Sequence, residues 1–525
     1  MEYLTLVLSI LATLIAIFYY YLIRNRDYFK KHGVVHVPPQ LIVGNIGGVF
    51  SKKSSMVEIL QQIYDFHPDA KYVGFYEFTR PAIVVRDIEL IKSFCVKNFE
   101  SFQDHRPLSD EELDPLLGKS LFSIQGEKWK AQRAMLSPTF TPGKIKNMFT
   151  LMSRHAVHFS EYLSKLPEER RVVELKDVAS KFTNDVIASC VFGMDVDSLN
   201  DPENLMYVNS RKALNFASFQ SAVTILMYKS MPRLSKWLGL RLMSKELTKF
   251  FEDVVTSNVK TRDDKGIQRS DMLQSLMETR NKKQYGTGLN MQEIAIHAFT
   301  FLFGGFDTVS NQLCFVIHYL AVNPDVQKRL QEEIDEVLER KQGQMTYDDI
   351  NGMEYIDAII NETMRLKPIA YFLDRVCVKD FELPPALPGE KPFTLQAGST
   401  VWIPVYAIQR DPKYFDNPDT FDPDRFVNDG KRIMTSGAFI PFGLGPRMCI
   451  GNRFALTEIK ILIFHLFARC DLKPCPETDE KLEIAKGSIA IAPENGFWVK
   501  VEPRSNPHQA IHTGVVNGTE YAKDE

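Results

Sequence analysis

Hydrophobic positions fall into distinct patterns along the chain. The first is an uninterrupted run, YLTLVLSILATLIAIFYYYLI, from Tyr3 to Ile23, without a single charge. As a helix at about 1.5 Å per residue it reaches about 31 Å, the thickness of a bilayer's hydrocarbon core. Glu2 precedes the run, and Arg24, Arg26, Lys30 and Lys31 follow it, so the positive-inside rule puts the C-terminal side in the cytosol. A cleaved signal peptide would have a basic leader and a shorter apolar stretch. The pattern predicts a single-pass anchor over 1–23 and a basic linker over 24–39, ending in the stiff turn Pro38-Pro39.

Alternation of period two comes next. KYVGFYEFTRPAIVV, Lys71 to Val85, reads as two strands broken at Arg80-Pro81, a hairpin. From about Lys128 to Leu366 the helical period dominates; a second β-prone zone covers Phe372 to Val405, and a last helix follows Gly451. Within the helical part, Asn290 with Glu293 makes a capping box and Asn323-Pro324 a stop, which predicts a helix of about 30 residues, about 45 Å long. It is apolar nearly all round and should be buried. Residues 503–525 are polar and patternless, the signature of a disordered tail. The fold class is mostly α, of the α+β kind, with one large body over 40–502.

Composition narrows the function. A net charge of −3 argues against a nucleic-acid binder, which needs a basic footprint. The seven cysteines include no CxxC pair, so neither a disulfide framework nor a zinc ribbon fits, and the body belongs in a reducing compartment. The sequon Asn517-Gly518-Thr519 would then never meet a glycosyltransferase. Gly443-Leu444-Gly445 lacks the third glycine and the βαβ setting of a dinucleotide site.

The loop FGLGPRMCIG, Phe442 to Gly451, holds one cysteine without a ligating neighbour. A structural zinc needs four protein ligands and a blue-copper site needs two histidines. A haem brings four nitrogens of its own and needs only an axial ligand, for which the Cys449 thiolate suffices. Gly443, Gly445 and Gly451 allow close backbone approach, and a helix start just after Cys449 favours thiolate over thiol. Arg447 can pair with a propionate. Taken singly, most cysteines in glycine-rich turns are structural. Here, however, Phe442-x-x-Gly445-x-Arg447-x-Cys449-x-Gly451 resembles the haem-binding signature of the cytochrome P-450 superfamily at every fixed position.

Other segments repeat the resemblance. In FLFGGFDTVS, Gly304-Gly305 interrupt the long helix before Asp307-Thr308; Gly305 and Thr308 share a face, and a buried, unpaired Asp307 would be costly. Alone this is equally a helix-packing notch. In the family, the small-residue notch admits dioxygen, Thr308 orders water and bonds the iron-bound oxygen, and Asp307 relays protons. The usual second hydroxyl is replaced by Val309, with Ser310 following. NETMRLKP carries the pair Glu362 and Arg365, and FDPDRF supplies Arg425, with Asp424 where the family has Glu. The resemblance assigns that triad to fold maintenance and haem incorporation. It places Trp129, Arg133 and Arg375 on the haem propionates.

By the same resemblance the fold is that of the cytochromes P-450 and the cofactor is haem b. One oxygen atom of O2 enters a substrate C–H bond and the other leaves as water. NADPH supplies electrons through a separate flavoprotein, the NADPH–cytochrome reductase of the endoplasmic reticulum, with cytochrome b5 as a second donor. Lys128, Lys130, Arg133, Arg447, Arg453 and Lys460 cluster around the proximal motifs and suggest a docking face for an acidic partner, or an ordinary solvated face. Family position gives a pocket of Leu121, Phe122, Phe216, Phe219, Phe299, Phe303, Phe306, Ile369, Phe372, Leu373, Ser488 and Ile489. It is largely apolar, so the substrate is lipophilic. FLFGGFDTVS and NDVIASCVFG look most like insect microsomal members of the family-nine type, which implies oxidation of xenobiotics such as plant toxins and insecticides. The alternatives are an endogenous lipid or steroid hydroxylase, a reductase-independent haem-thiolate enzyme, and a non-catalytic protein that sequesters haem or lipophiles.

Overall fold

The protein is described here by a computed structural model over residues 2–215, 221, 224–225, 227–228, 232–280, 288–505 and 512–513. It is 55% helical with small β-sheets. The first helix, Glu2–Ile23, contains the one segment among the described residues long and apolar enough to cross a membrane, Tyr3–Ile23, and none of its apolar stretch is buried.

The chain leaves that helix without slack. Asn25 donates to the Thr79 carbonyl (3.0 Å) and the Tyr76 hydroxyl donates to the Arg26 carbonyl (2.9 Å). Phe29 is buried over Gly74, where a Cβ would stand 2.7 Å from its ring.

Tyr72–Glu77 and Arg80–Val85 form the predicted hairpin, in the register Tyr72↔Val85 to Glu77↔Arg80. Its turn is Phe78-Thr79 rather than Arg80-Pro81; Phe78 takes the positive φ of 55°, and Pro81 sits inside the second strand opposite Tyr76. Thr400–Ile403 adds in parallel to the second strand, and Leu373–Val376 pairs antiparallel with it in turn. The two ends of the β-prone zone over 372–405 therefore join the hairpin as one four-stranded sheet, while Phe381–Leu383 and Phe393–Leu395 between them pair as a separate two-stranded one. A second sheet, Val172–Glu174, Trp498–Pro503 and Cys470–Lys473, has strands too short to announce themselves by alternation. Arg504 makes two bonds to Asp335 (2.9 and 2.7 Å), and His512–Thr513 pairs with Gln344–Met345. The remaining residues of 506–525 lie outside the described ones.

The long helix runs Met291–Val322, 32 residues, with the capping box between Asn290 and Glu293 formed in both directions. It is the buried axis of the body, packed against Leu175–Ile187 and Lys245–Lys265. Its two glycines act differently. A Cβ on Gly305 would lie 3.0 Å from Ile187, so Gly305 is the notch that seats the neighbouring helix. A Cβ on Gly304 would meet nothing nearer than Phe122 at 3.6 Å.

The helix Glu354–Leu366 carries Glu362 and Arg365, both fully buried. Arg365 Nε and Nη2 each donate to the Glu362 carboxylate at 2.7 Å, and its remaining N–H groups go to the carbonyls of Gln409, Pro418 and Thr420. Arg425, on the helix Asp424–Ser436, approaches Glu362 only to 3.6 Å.

Candidate functional site

The cysteine loop enters the helix Asn452–Phe467 through Gly451. Gly443 and Gly445 both have positive φ, 82° and 74°, and a Cβ on Gly445 would lie 1.9 Å from the Cys95 carbonyl oxygen, so that position admits only glycine. The loop also folds on itself, Cys449 N–H donating to the Phe442 carbonyl at 2.9 Å. Five cysteines are buried and Cys475 half-buried; Cys449 alone is exposed. It nonetheless lies deep in the fold, where burial pushes its thiol pKa up, against a hydrogen bond from the Gly451 backbone and the Arg133 charge. A deep yet open sulfur lines an internal cleft. A metal ion, the largest local charge in such a site, would deprotonate the thiol outright.

Arg133, on the helix Gly126–Leu136, donates to the Met448 carbonyl at 2.8 Å, beside the cysteine. Trp129 on the same helix is buried and carries the Arg447 guanidinium 3.8 Å from its ring centre. Arg447 is otherwise taken up by protein. It bonds the carbonyls of Gln103, Leu121 and Ile124 and forms an ion pair with Asp104 at 3.3 Å. Burial pushes its pKa down to about 9 in spite of Asp104. The same Asp104 accepts the Gly126 N–H at 2.8 Å.

Arg375 differs. It is fully buried, donates to the Asp374 carbonyl and bonds the Cys95 thiol, and its Nε has no partner; among the described residues it makes no direct ion pair, the Asp374 carboxylate acting on it only through space. A buried guanidinium so compensated still favours an anion at its free N–H. Next to it, Asp374 accepts from His105 (2.8 Å) and from the Arg106 N–H (2.9 Å). Burial raises the Asp374 pKa, but the charge and hydrogen bond of His105, the Arg106 N–H and the Arg375 charge outweigh it and hold the carboxyl well below its usual range.

Opposite the loop is the long helix. Thr308 is exposed, beside exposed Asp307 and buried Val309, and donates to the Gly304 carbonyl at 2.5 Å. Asp307 is not a buried, unpaired acid. Its side chain is 52% exposed and bound to Lys176 Nζ at 2.7 Å and to Asn311 at 3.0 Å, while Lys176 also donates to Ser310 at 2.7 Å. A helix wheel shows which side Asp307 takes but not what stands there, and Lys176 arrives from Leu175–Ile187. Val309 is buried and carries no such function.

The segment 121–124 bridges the two sides. Leu121 and Ile124 offer their carbonyls to Arg447, while the exposed Phe122 ring lies over Gly304 and meets Phe303 at 5.5 Å between centroids. Leu373 reaches Gly443, and Phe372 stacks on Trp402 at 4.2 Å. Tyr371 donates to the carbonyl of Ile489, whose side chain is exposed; Ser488 is half-buried, as is Ile369. Leu121, Phe299 and Phe306 are core instead, Phe299 against Phe251 and Phe306 near Tyr207. Phe216 and Phe219 lie outside the described residues. Of the six basic residues near the proximal motifs, Arg447 and Lys460 are buried, Lys460 paired with Asp357 at 2.6 Å. Lys128 and Lys130 pair with Glu111, Glu100 and Glu127, and Arg453 is exposed.

The orphaned Nε of buried Arg375, the exposed Cys449 and the lack of a side chain at Gly304 fit a flat, iron-bearing macrocycle with anionic edges. The comparisons with known proteins agree. The cytochrome P-450 family model matches residues 36–499. Cytochrome P-450 9e2 of Blattella germanica is 40% identical over 510 residues, covering 92% of this chain and 95% of the relative. A probable cytochrome P-450 9f2 of Drosophila melanogaster is 36% identical over 516 residues, covering 95% and 99%. Cytochrome P-450 6j1 of Blattella germanica is 36% identical over 505 residues, with the same coverage. The chain belongs to the cytochrome P-450 family, which implies a haem cofactor and an oxygenase activity.

Proposed function

We propose that this chain is a membrane-anchored, haem-thiolate monooxygenase of the endoplasmic reticulum that oxidises lipophilic xenobiotics with electrons from NADPH. The observation that carries the reading is the pairing of an accessible Cys449 with a long helix whose Thr308 is open at the Gly304 notch. Haem bound there supplies the iron on which dioxygen is activated. Cys449 would supply the thiolate that holds it, with the Gly451 N–H and Arg133 favouring the charged sulfur. Arg375, with its orphaned Nε, would hold an anionic edge of the group, with Trp129, Arg133 and Arg447 nearby.

The proton path is a property of this chain's own side chains. Asp307 is half in solvent and can exchange protons with it, while Lys176 and Asn311 hold its carboxylate in place. Thr308 donates its hydroxyl proton to the Gly304 carbonyl, so its oxygen is left to accept a hydrogen bond from, and so position, a water on the open face. Phe122, Phe303, Ile369 and Phe372 offer apolar walls that orient a lipophile and keep stray water out.

In this reading the body over 40–502 holds the haem site, and electrons come from a separate reductase, with cytochrome b5 as a second donor. The span over 1–23 anchors it, the linker over 24–39 follows, and 503–525 forms the tail. Likeness to the family-nine relatives supports xenobiotic substrates. The test is product analysis with reductase-reconstituted membranes against a panel of plant toxins, insecticides, fatty acids and steroids. Hydroxylated xenobiotics, dependent on NADPH, are expected. Turnover confined to steroids or fatty acids would replace the substrate class, and a reduced carbon monoxide spectrum of imidazole type would remove the thiolate reading.

A further inference from the structure

Cys95 touches two parts of the candidate haem site from outside it. It is buried in the π-helical turn Ser93–Lys97, and turns of this wide kind are frequent at functional sites. Its carbonyl oxygen lies against the cysteine loop, where a Cβ on Gly445 would come within 1.9 Å of it. Its thiol bonds the guanidinium of Arg375, on the strand Leu373–Val376. Both partners are held independently. Asn98 closes the turn with its N–H on the Ser93 carbonyl (2.7 Å) and its side-chain amide on the Ser93 hydroxyl (2.8 Å). The Val376 and Val378 N–H groups tie the strand to the carbonyls of Asp104 and Ser101, at 2.8 and 2.9 Å.

The kind of acceptor matters. A carboxylate would satisfy a guanidinium N–H and cancel the charge as well; a neutral group satisfies the N–H alone. Burial pushes the Cys95 thiol pKa up, against the Arg375 charge and hydrogen bond, so the sulfur stays neutral. The Asp374 carbonyl, at 2.7 Å, is a second neutral acceptor, while the Asp374 carboxylate is occupied by His105 and the Arg106 N–H. The Arg375 Nε has no acceptor at all, in a side chain only 1% exposed. Charge and N–H are thereby kept for an anion that the protein does not supply.

We propose that Cys95 is a positioning residue for the haem, its neutral thiol holding Arg375 toward the anionic edge of the ring without neutralising it, and its carbonyl seating the loop that carries Cys449. It acts through Arg375 and Gly445, not on reacting atoms. The inference rests on the reading of Cys449 as the thiolate of a haem site.

The test follows haem transfer from the detergent-solubilised full chain to apomyoglobin. Cys95→Ala should speed transfer about threefold, the loss of one neutral hydrogen bond, and Cys95→Ser, which keeps a neutral acceptor, should restore most of the difference. Cys95→Asp gives Arg375 a carboxylate partner and should speed transfer about tenfold, as far as Arg375→Gln does. In an Arg375→Gln background, Cys95→Ala should add less than about 1.5-fold. An unchanged rate with Cys95→Ala, or the same acceleration whether or not Arg375 is present, would show that Cys95 does not act through the cation and would overturn the proposal. So would a folded Cys95→Asp chain that keeps haem as firmly as the unsubstituted one; if that variant does not fold, the alanine cycle decides. A reduced carbon monoxide spectrum of thiolate type, obtained without the coupling, removes this inference alone. A spectrum of imidazole type, or a folded chain that takes up no haem, removes the haem-thiolate reading and the inference with it.

Discussion

Replacing Arg365 with methionine tests how the body is held behind the haem. Arg365 gives Glu362 two hydrogen bonds of 2.7 Å, inside a site where neither residue is exposed. Without it, Glu362 keeps only the Asp422 N–H at 3.0 Å and Arg425 at 3.6 Å, and three loop carbonyls lose their donor. A buried carboxylate stripped of its partner costs about 3–5 kcal/mol. Arg425→Met should cost only about 1 kcal/mol, because its approach to Glu362 is long and without a hydrogen bond. Removing both charges in Glu362→Met with Arg365→Met eliminates the stranded carboxylate and should recover part of the loss. The assay is urea unfolding of the detergent-solubilised full chain, followed by tryptophan emission and near-ultraviolet dichroism. Equal losses for Arg365→Met and Arg425→Met, or a double variant no more stable than Arg365→Met alone, would refute the reasoning.

Other consequences can be measured on the same preparation. Arg375→Gln removes a buried cation that makes no direct ion pair among the described residues, so the haem-free protein should lose at most about 1 kcal/mol, while haem transfer to apomyoglobin should speed up about tenfold, the equivalent of about 1.4 kcal/mol. Thr308→Val should change stability by less than about 1 kcal/mol, since the Gly304 carbonyl keeps its helical partner, and should lower product formed per NADPH oxidised at least tenfold. Lys176→Met breaks a partly exposed pair and should likewise cost under about 1 kcal/mol, but the solvent isotope effect on product formation should change if Asp307 feeds protons. Asp374 has a depressed carboxyl pKa, so its contribution to stability is present above the unfolded value of about 4 and is lost as pH falls toward the folded one. His105→Ala should therefore bring acid unfolding on at a higher pH than in the unsubstituted protein.

Local chemistry was legible in the sequence where one stretch of chain carries it. The cysteine loop, the capped long helix, the hairpin and the Glu362–Arg365 pair are each written within a few turns of backbone, and the structure builds all of them. What stayed hidden depends on residues brought from afar. Lys176 is an ordinary basic position on its helix until it meets Asp307, 131 residues away. Asp104 gives no signal at all, yet it neutralises Arg447, while the buried Arg375 beside it is left with an orphaned Nε. Family position puts Phe299 and Phe306 in the pocket, but helices at 245–265 and 205–214 cover them. The sheet joining 172–174 to 498–503 is assembled from strands too short to show a period.

Arg447 binds Gln103 and Asp104 at one end of a loop and Leu121 and Ile124 at the other. That loop is an arch with both feet nailed to a single post, and the post stands two residues from the sulfur. Its feet cannot part to admit a bulky molecule without dismantling the floor on which the chemistry rests. Passage must therefore come from flexing of the span between them, or from a different side of the protein, and a substitution that loosens the post would widen the doorway and weaken the hearth together.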